Sequence, residues 1–160
     1  DVFAKYETKT KDLLAAAPSA TIRADAKLDG RHVALRAHAS AADATLRLHA
    51  ILVEGSLVFP GRNGILFHHR VARAALTPDA GVPRDQCSEA TPFTTRLDLD
   101  DVTLDLDACI ARFETERPFR VRPTEIGGAE LSVVLFLEDR TSGAIAQAAT
   151  IPVVARDGER

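Results

Sequence analysis

The chain has 160 residues, of which 46% are hydrophobic and 27% are charged, and its formal net charge is −3. This composition is ordinary for a soluble globular chain that can bury a core without disulfides or metals, and it argues against disorder. The negative net charge and an aromatic content of 5% argue against nucleic-acid binding.

The two halves of the chain differ in charge. Residues 1–80 carry 11 Lys and Arg against 8 Asp and Glu, a net of +3, whereas residues 81–160 carry 9 against 15, a net of −6. Such polarity could orient a protein partner, or it could reflect uneven composition. Since no uncharged run is long enough to cross a bilayer, we expect no transmembrane segment of its own.

The N-terminal residues have the pattern of a helix. Residues 2–17 place Val2, Phe3, Tyr6, Leu13 and Leu14 loosely on one side, and Pro18 ends the pattern. We therefore expect a lead-in helix within residues 1–18, followed by a single β-sandwich domain over residues 19–156.

Alternation of apolar and polar residues follows. Residues 20–39 alternate on both sides of Asp29-Gly30, which predicts a β-hairpin. A third strand is predicted from Thr45 to Glu54. Consecutive antiparallel strands with one apolar face indicate a meander or half of a sandwich.

The rest of the chain predicts short strands, one helix and a final hairpin. Strands at 67–71 and 93–99 flank a turn-rich loop at 77–92, and helical spacing runs from 101 to 117. The hairpin at 131–149 begins with seven uncharged residues, typical of a strand buried on both faces, with the helix at 101–117 as its cover. Val134→Asp or Phe136→Asp is therefore expected to unfold the protein.

Several segments occur in an order known from a family of domains. They are Val53-Glu54, Phe59-Pro-Gly-Arg-Asn-Gly64, Phe67-His-His-Arg-Val-Ala-Arg73, and the hairpin of Leu131-Ser-Val-Val-Leu-Phe-Leu-Glu-Asp139 with Ile145-Ala-Gln-Ala148. Together they resemble the immunoglobulin-like β-sandwich found C-terminal to a thioredoxin-like domain in poorly characterised exported bacterial proteins, a group related to an outer-membrane-protein family. The resemblance covers residues 20–154, and Leu137 and Ala146 depart from the usual Gln and Leu.

The resemblance implies a mainly β, antiparallel immunoglobulin-like sandwich in the periplasm or another extracytoplasmic compartment. It further implies a non-catalytic accessory or structural module that works through protein–protein contacts, as a subunit of a larger assembly that could be associated with a membrane. Either the thioredoxin-like domain has been cut away, or this chain is a stand-alone version that serves as a subunit. No catalytic set converges in the sequence, so we expect neither an enzyme nor a cofactor.

The alternative function is a metal-binding or redox-accessory module associated with a thioredoxin-like domain. Its candidate metal ligands are Glu54, His68 and His69. Adjacent side chains of a strand point to opposite faces, which argues against His68 and His69 sharing one metal. Five aspartates between Asp98 and Asp107 suggest calcium, but they suit the start of a helix better.

Histidines and arginines on the polar faces of the second and third strands form a candidate interaction face. If these strands pair, His38 would neighbour Arg47, and Arg36 would neighbour His49. The face could bind an anion or respond to pH, or it could be an ordinary solvated surface. Its members are His32, Arg36, His38, Arg47 and His49.

Cys87 and Cys109 are the two cysteines, and no C-x-x-C motif is present. In an exported protein they form a candidate disulfide between the loop at 77–92 and the helix at 101–117. Alternatively, Cys109 is a core residue of that helix and Cys87 is a free thiol of the loop.

Overall fold

The computed structural model describes residues 2–15, 17–58, 65, 67–116, 118, 126 and 130–156. The described elements are mainly strands, as predicted, with two α-helices and a short 3₁₀ turn at Arg84–Cys87. In chain order they are α1 (Val2–Ala15), β1 (Ala20–Asp29), β2 (His32–Ala41), β3 (Leu46–Val58), β4 (Phe67–Ala75), β5 (Val82–Pro83), β6 (Phe93–Asp98), α2 (Leu99–Glu114), β7 (Leu131–Asp139) and β8 (Ile145–Ala155).

The first hairpin forms where Asp29-Gly30 predicts it. Asp29 is opposite His32, which leaves Gly30 and Arg31 as the turn, and Gly30 has a φ of 58° that a side chain would disfavour. Alternate residues of β2 from Val33 to Ala39 are buried, so this hairpin has one apolar and one polar face.

β2 and β3 do not pair, although four residues connect them. β2 pairs with β1 and β6, whereas β3 pairs with β4, β5 and β7. The eight described strands form one hydrogen-bonded sheet in the order β4-β3-β7-β8-β1-β2-β6, with β5 beside β3. The expectation of an antiparallel sandwich is corrected in two respects, because the strands form one continuous sheet and because β1 and β8 are parallel.

β8 joins the two halves of the sheet. Its residues up to Pro152 pair with β7, and Val153–Ala155 pair with Ala26–Leu28 of β1. Pro152 has no N–H to donate, so the ladder can end there and the strand can change its partner. Arg156 holds this junction, since its backbone N–H donates to Leu28 O and its guanidinium lies 3.0 Å from Asp29.

The sheet curls into a half-barrel around one apolar core. Buried residues of β2, β3 and β7 belong to the same cluster, together with Leu99 and Val102 of α2. α2 lies against both end strands, because one recess is lined by Ala74 of β4, Leu97 of β6 and Leu106 of α2. The helix therefore lies between the two edges that the curled sheet leaves apart.

β7 is fully buried on one face only. Val133, Leu135 and Leu137 are inaccessible to solvent, whereas Val134 and Phe136 on the outer face are half-buried. α2 does not supply the expected second cover, because its Leu99 and Val102 join the inner core and its buried Ile110 lies toward β4. Neither Val134→Asp nor Phe136→Asp is therefore expected to unfold the protein, and that expectation applies instead to aspartate at the inward-facing residues.

Candidate functional site

The first predicted site lies on the β3–β4 pair. Ala74 and Ala72 stand opposite Leu52 and Val53, so Arg73 is the extra residue of a bulge. Its Nε donates to Glu54 Oε2 over 2.7 Å, and the two side chains are only 6% and 9% exposed. Glu54 is thus committed to a buried ion pair, a role that the sequence pattern did not indicate.

His68 and His69 lie in separate recesses. His68 lines a cleft between β4 and α2, whereas His69 lies beside Glu130 and Ser132 on the other side of the strand. Among the residues that the structure describes, no group of three His, Cys, Asp or Glu could hold a metal ion. Glu54, His68 and His69 therefore do not converge.

The cleft beside β4 has a volume of about 300 Å³ and mostly apolar walls. Its polar groups include the imidazole of His68, the thiol of Cys109 and the guanidinium of Arg73, which the ion pair with Glu54 already engages. Its size is at the lower end of small-molecule sites. The cleft is lined by Leu57, His68, Val71, Ala72, Arg73, Leu106, Cys109, Ile110 and Phe113.

The candidate disulfide is not present. Cys87 is fully buried in the 3₁₀ turn, with its Sγ 3.4 Å from Arg84 O and 3.5 Å from Pro83 O. Cys109 is exposed on α2, and both thiols are free. Burial raises the pKa of the Cys87 thiol to about 11. The alternative that placed Cys109 in the core is also wrong, because Cys87 is the core residue.

The candidate interaction face is divided, because β2 and β3 belong to different halves of the sheet. His32 Nε2 lies 3.4 Å from Asp98, and His38 Nδ1 lies 3.6 Å from Glu89. Arg36 Nε is 3.4 Å from His38 Nε2 on the same strand. The predicted pairs of His38 with Arg47 and of Arg36 with His49 do not form.

Arg47 and His49 lie on the outer face of β3 instead. The His49 ring stacks on Phe136 with centroids 4.9 Å apart, and its Nε2 is 3.0 Å from Glu138. Gly81 approaches both residues so closely that a Cβ there would lie 2.7 Å from His49 Nε2. This imidazole is therefore held by its neighbours on β7 and in the loop.

Two basic residues that were not predicted as part of the candidate interaction face belong to the β1-β2-β6 half of the sheet. Lys27 of β1 and Arg96 of β6 both stand opposite Ala34 of β2, and all three are exposed. The Asp29-Gly30 hairpin could have revealed Lys27, since its register sets Lys27 against Ala34. The position of Arg96 could not be predicted in this way, because β6 follows β2 by more than fifty residues.

Two of the five aspartates near α2, Asp98 and Asp100, have structural partners. Asp98 caps the helix by accepting from Asp100 N–H over 2.9 Å, and the Asp100 carboxylate lies 2.8 Å from Arg31. Acidic residues at this end also suit the helix dipole. These contacts support the helix-start interpretation over calcium.

No protein-family model matches the chain, and no curated protein is similar to it in sequence. Among solved structures, a domain of the outer membrane lipoprotein Omp28 from Porphyromonas gingivalis has a similar fold. The TM-score is 0.56 and the identity 10%, over 89% of this chain and 93% of that one. At this identity the likeness shows a common fold, and function has to be argued from the surfaces of this chain.

Proposed function

We propose that the chain is a non-catalytic extracytoplasmic accessory module that works by binding another protein within a larger, membrane-associated assembly. The observation that carries this proposal is the apolar face of α1. Export is supported by the fold shared with an outer membrane lipoprotein domain. None of the described helices has the length and apolar character needed to cross a membrane.

α1 exposes apolar side chains that a stable helix would normally bury. Val2, Tyr6 and Leu14 are 70%, 68% and 80% exposed. At about 100° per residue, these three positions lie within an arc of about 120°. A 14-residue helix is marginal in water without tertiary packing. A protein surface that covers this face would stabilise the helix and attach the module.

An immunoglobulin-like relationship is consistent with the strand order. In that fold, strands A, B and E share one sheet, and G, F and C share the other, with C′ added in variable-type domains. Taking β1, β2 and β6 as A, B and E, and β4, β3, β7 and β8 as C′, C, F and G, reproduces both orders. On this assignment α2 follows strand E and precedes strand F.

A thioredoxin-like domain is the partner that the family resemblance favours for α1, on the same chain or on another. In this arrangement the thioredoxin-like domain would carry any redox chemistry, and the β module would position it. The metal-binding alternative receives no support, because Glu54 is engaged by Arg73 and the two histidines lie apart.

The test compares charges on opposite faces of α1. Tyr6→Glu places a carboxylate on the apolar face, and Thr8→Glu places one on the polar face, about 160° away. After mild extraction of the native cell envelope, we expect a partner to be cross-linked to the wild-type chain and to Thr8→Glu but not to Tyr6→Glu. Recovery of all three chains without a partner would contradict the proposal.

A further inference from the structure

The outer face of β1, β2 and β6 carries a group of cations around one small side chain. Ala34 is opposite Lys27 on one side and Arg96 on the other, and Arg36 follows two residues later on the same face of β2. Strands lie about 4.8 Å apart and alternate residues about 6.7 Å apart. Lys27, Arg36 and Arg96, here the cation cluster, therefore surround a methyl group within about 10 Å.

Within the described part of the chain, no carboxylate oxygen lies within 4.0 Å of the cation cluster, although Asp25 stands opposite Arg36 in the strand register. Nearby arginines do have a carboxylate partner, since Arg23 lies 3.3 Å from Glu89 and Arg31 lies 2.8 Å from Asp100. Arg36 uses its Nε toward His38, which leaves its terminal amino groups available. Three like charges are thus held side by side on a rigid sheet.

We infer that the cation cluster binds acidic side chains of a partner protein. The methyl group of Ala34 allows a carboxylate to approach the sheet between Lys27 and Arg96. A guanidinium can hold a carboxylate through two parallel N–H donors, which gives direction as well as energy. The occupant is therefore an exposed Asp- or Glu-bearing segment.

The pattern of charge on this face favours a protein over an anionic membrane. Five basic residues share the face with four acidic ones, so its formal charge is only +1: Arg23, Lys27, Arg36, Arg96 and Arg156 against Asp25, Asp29, Glu89 and Asp98. A lipid surface presents negative charge everywhere and would meet the carboxylates as well. A protein can place single acidic groups over the cation cluster alone.

The test uses the full chain and a fluorescein-labelled peptide in which two glutamates are separated by neutral serines, followed by fluorescence anisotropy. We expect binding at about 20 mM salt that weakens toward about 200 mM, because the Debye length shortens. Arg36→Glu and Arg96→Glu should each weaken binding about tenfold, the loss expected for one charge-assisted hydrogen bond. Arg36→Lys should retain only part of the affinity, because an ammonium keeps the charge but lacks the two parallel N–H donors.

The matched control is Arg140→Glu in the exposed turn after β7, which changes the net charge equally. Absence of wild-type binding, or equal weakening by Arg140→Glu and Arg36→Glu, overturns the inference. Binding to phosphatidylglycerol vesicles without binding to the peptide overturns it in favour of a membrane. α1 is not altered in any of these variants, so failure here leaves the accessory-module proposal to its own test.

Discussion

Glu54 and Arg73 form an ion pair that is almost completely removed from water. Such a pair adds little compared with apolar residues of similar size, but loss of one member leaves the other charge buried and unpaired. We expect Glu54→Gln to lower the free energy of unfolding by about 3 kcal/mol. Urea denaturation measures the change.

The control for this prediction replaces both members of the pair. Glu54→Leu combined with Arg73→Met removes both charges while keeping similar volumes, so it should recover most of the lost stability. A single Glu54→Gln variant with the wild-type midpoint would show that the pair is hydrated and that the Glu54 carboxylate is available to a ligand.

The thiol of Cys87 makes stability depend on pH at the alkaline end. Desolvation is the main reason that the pKa of this thiol rises from 9.0 to about 11, opposed by Arg84 and assisted by Asp85. Between these values the unfolded chain binds fewer protons than the folded one. The contribution of this thiol to the free energy of unfolding is therefore fully present below pH 9 and is lost as the pH rises to 11.

Unfolding free energies measured from pH 8 to pH 11 test the role of Cys87. Cys87→Ala should make the decline less steep, whatever its effect on stability at pH 8, because the alanine has no proton to lose. Cys109→Ala should keep the wild-type slope, since Cys109 is exposed. Identical slopes in the wild-type chain and both variants would show that the Cys87 thiol does not cause the alkaline loss of stability.

Single-residue predictions from sequence succeeded where strand alternation alone decides them. Alternation anticipated that His68 and His69 would point apart, and they line different recesses. It could not anticipate that Arg73 binds Glu54, because the bulge shifts the register of β4 by one residue. A bulge depends on the partner strand and leaves no local apolar pattern.

At the level of elements, β7 shows how an uncharged run can be misinterpreted. The whole run is apolar, yet full burial is confined to alternate residues. Leu135→Asp should therefore leave the protein unfolded, because it places a charge in the core. Val134→Asp should cost much less, since its side chain is partly hydrated. Circular dichroism and thermal unfolding distinguish them, and equal loss in both variants would show that the outer face is also closed.

The helices and the first hairpin were predictable, but the partner of β3 was not. Asp29-Gly30 lies directly between the two strands that it connects, so local sequence decides that pairing. The segment between β2 and β3 is as short as a hairpin loop, yet each strand has distant partners that compete for its edge. β2 pairs with β6 and β3 pairs with β7 because these pairings enclose the shared core, and no local pattern reveals this.

For the whole molecule, the sequence predicted a β-protein with an enclosed core but not the way in which the sheet closes. One apolar face on each strand requires a core, whether the strands form two sheets or one curled sheet. The change of partner within β8 joins the halves through only three residue pairs. Pro152 lies at this point, but proline occurs at strand ends for several other reasons, so it did not predict the change of partner.

Because one core spans both halves, the sheet should unfold as a single cooperative unit. The chain has no tryptophan, so one can be introduced as a reporter in either half. Phe93→Trp reports on β6, and Phe136→Trp reports on β7, where it replaces a ring that stacks on His49. Both positions are half-buried, so each substitution should preserve the fold.

In urea, each variant's fluorescence transition should coincide with its own far-UV circular dichroism transition, even if the two variants differ in overall stability. This internal comparison separates cooperativity from the cost of the substitution. If the β6 reporter changes before the circular dichroism signal while the β7 reporter follows it, the halves unfold independently, and the short β8–β1 junction does not transmit stability between them.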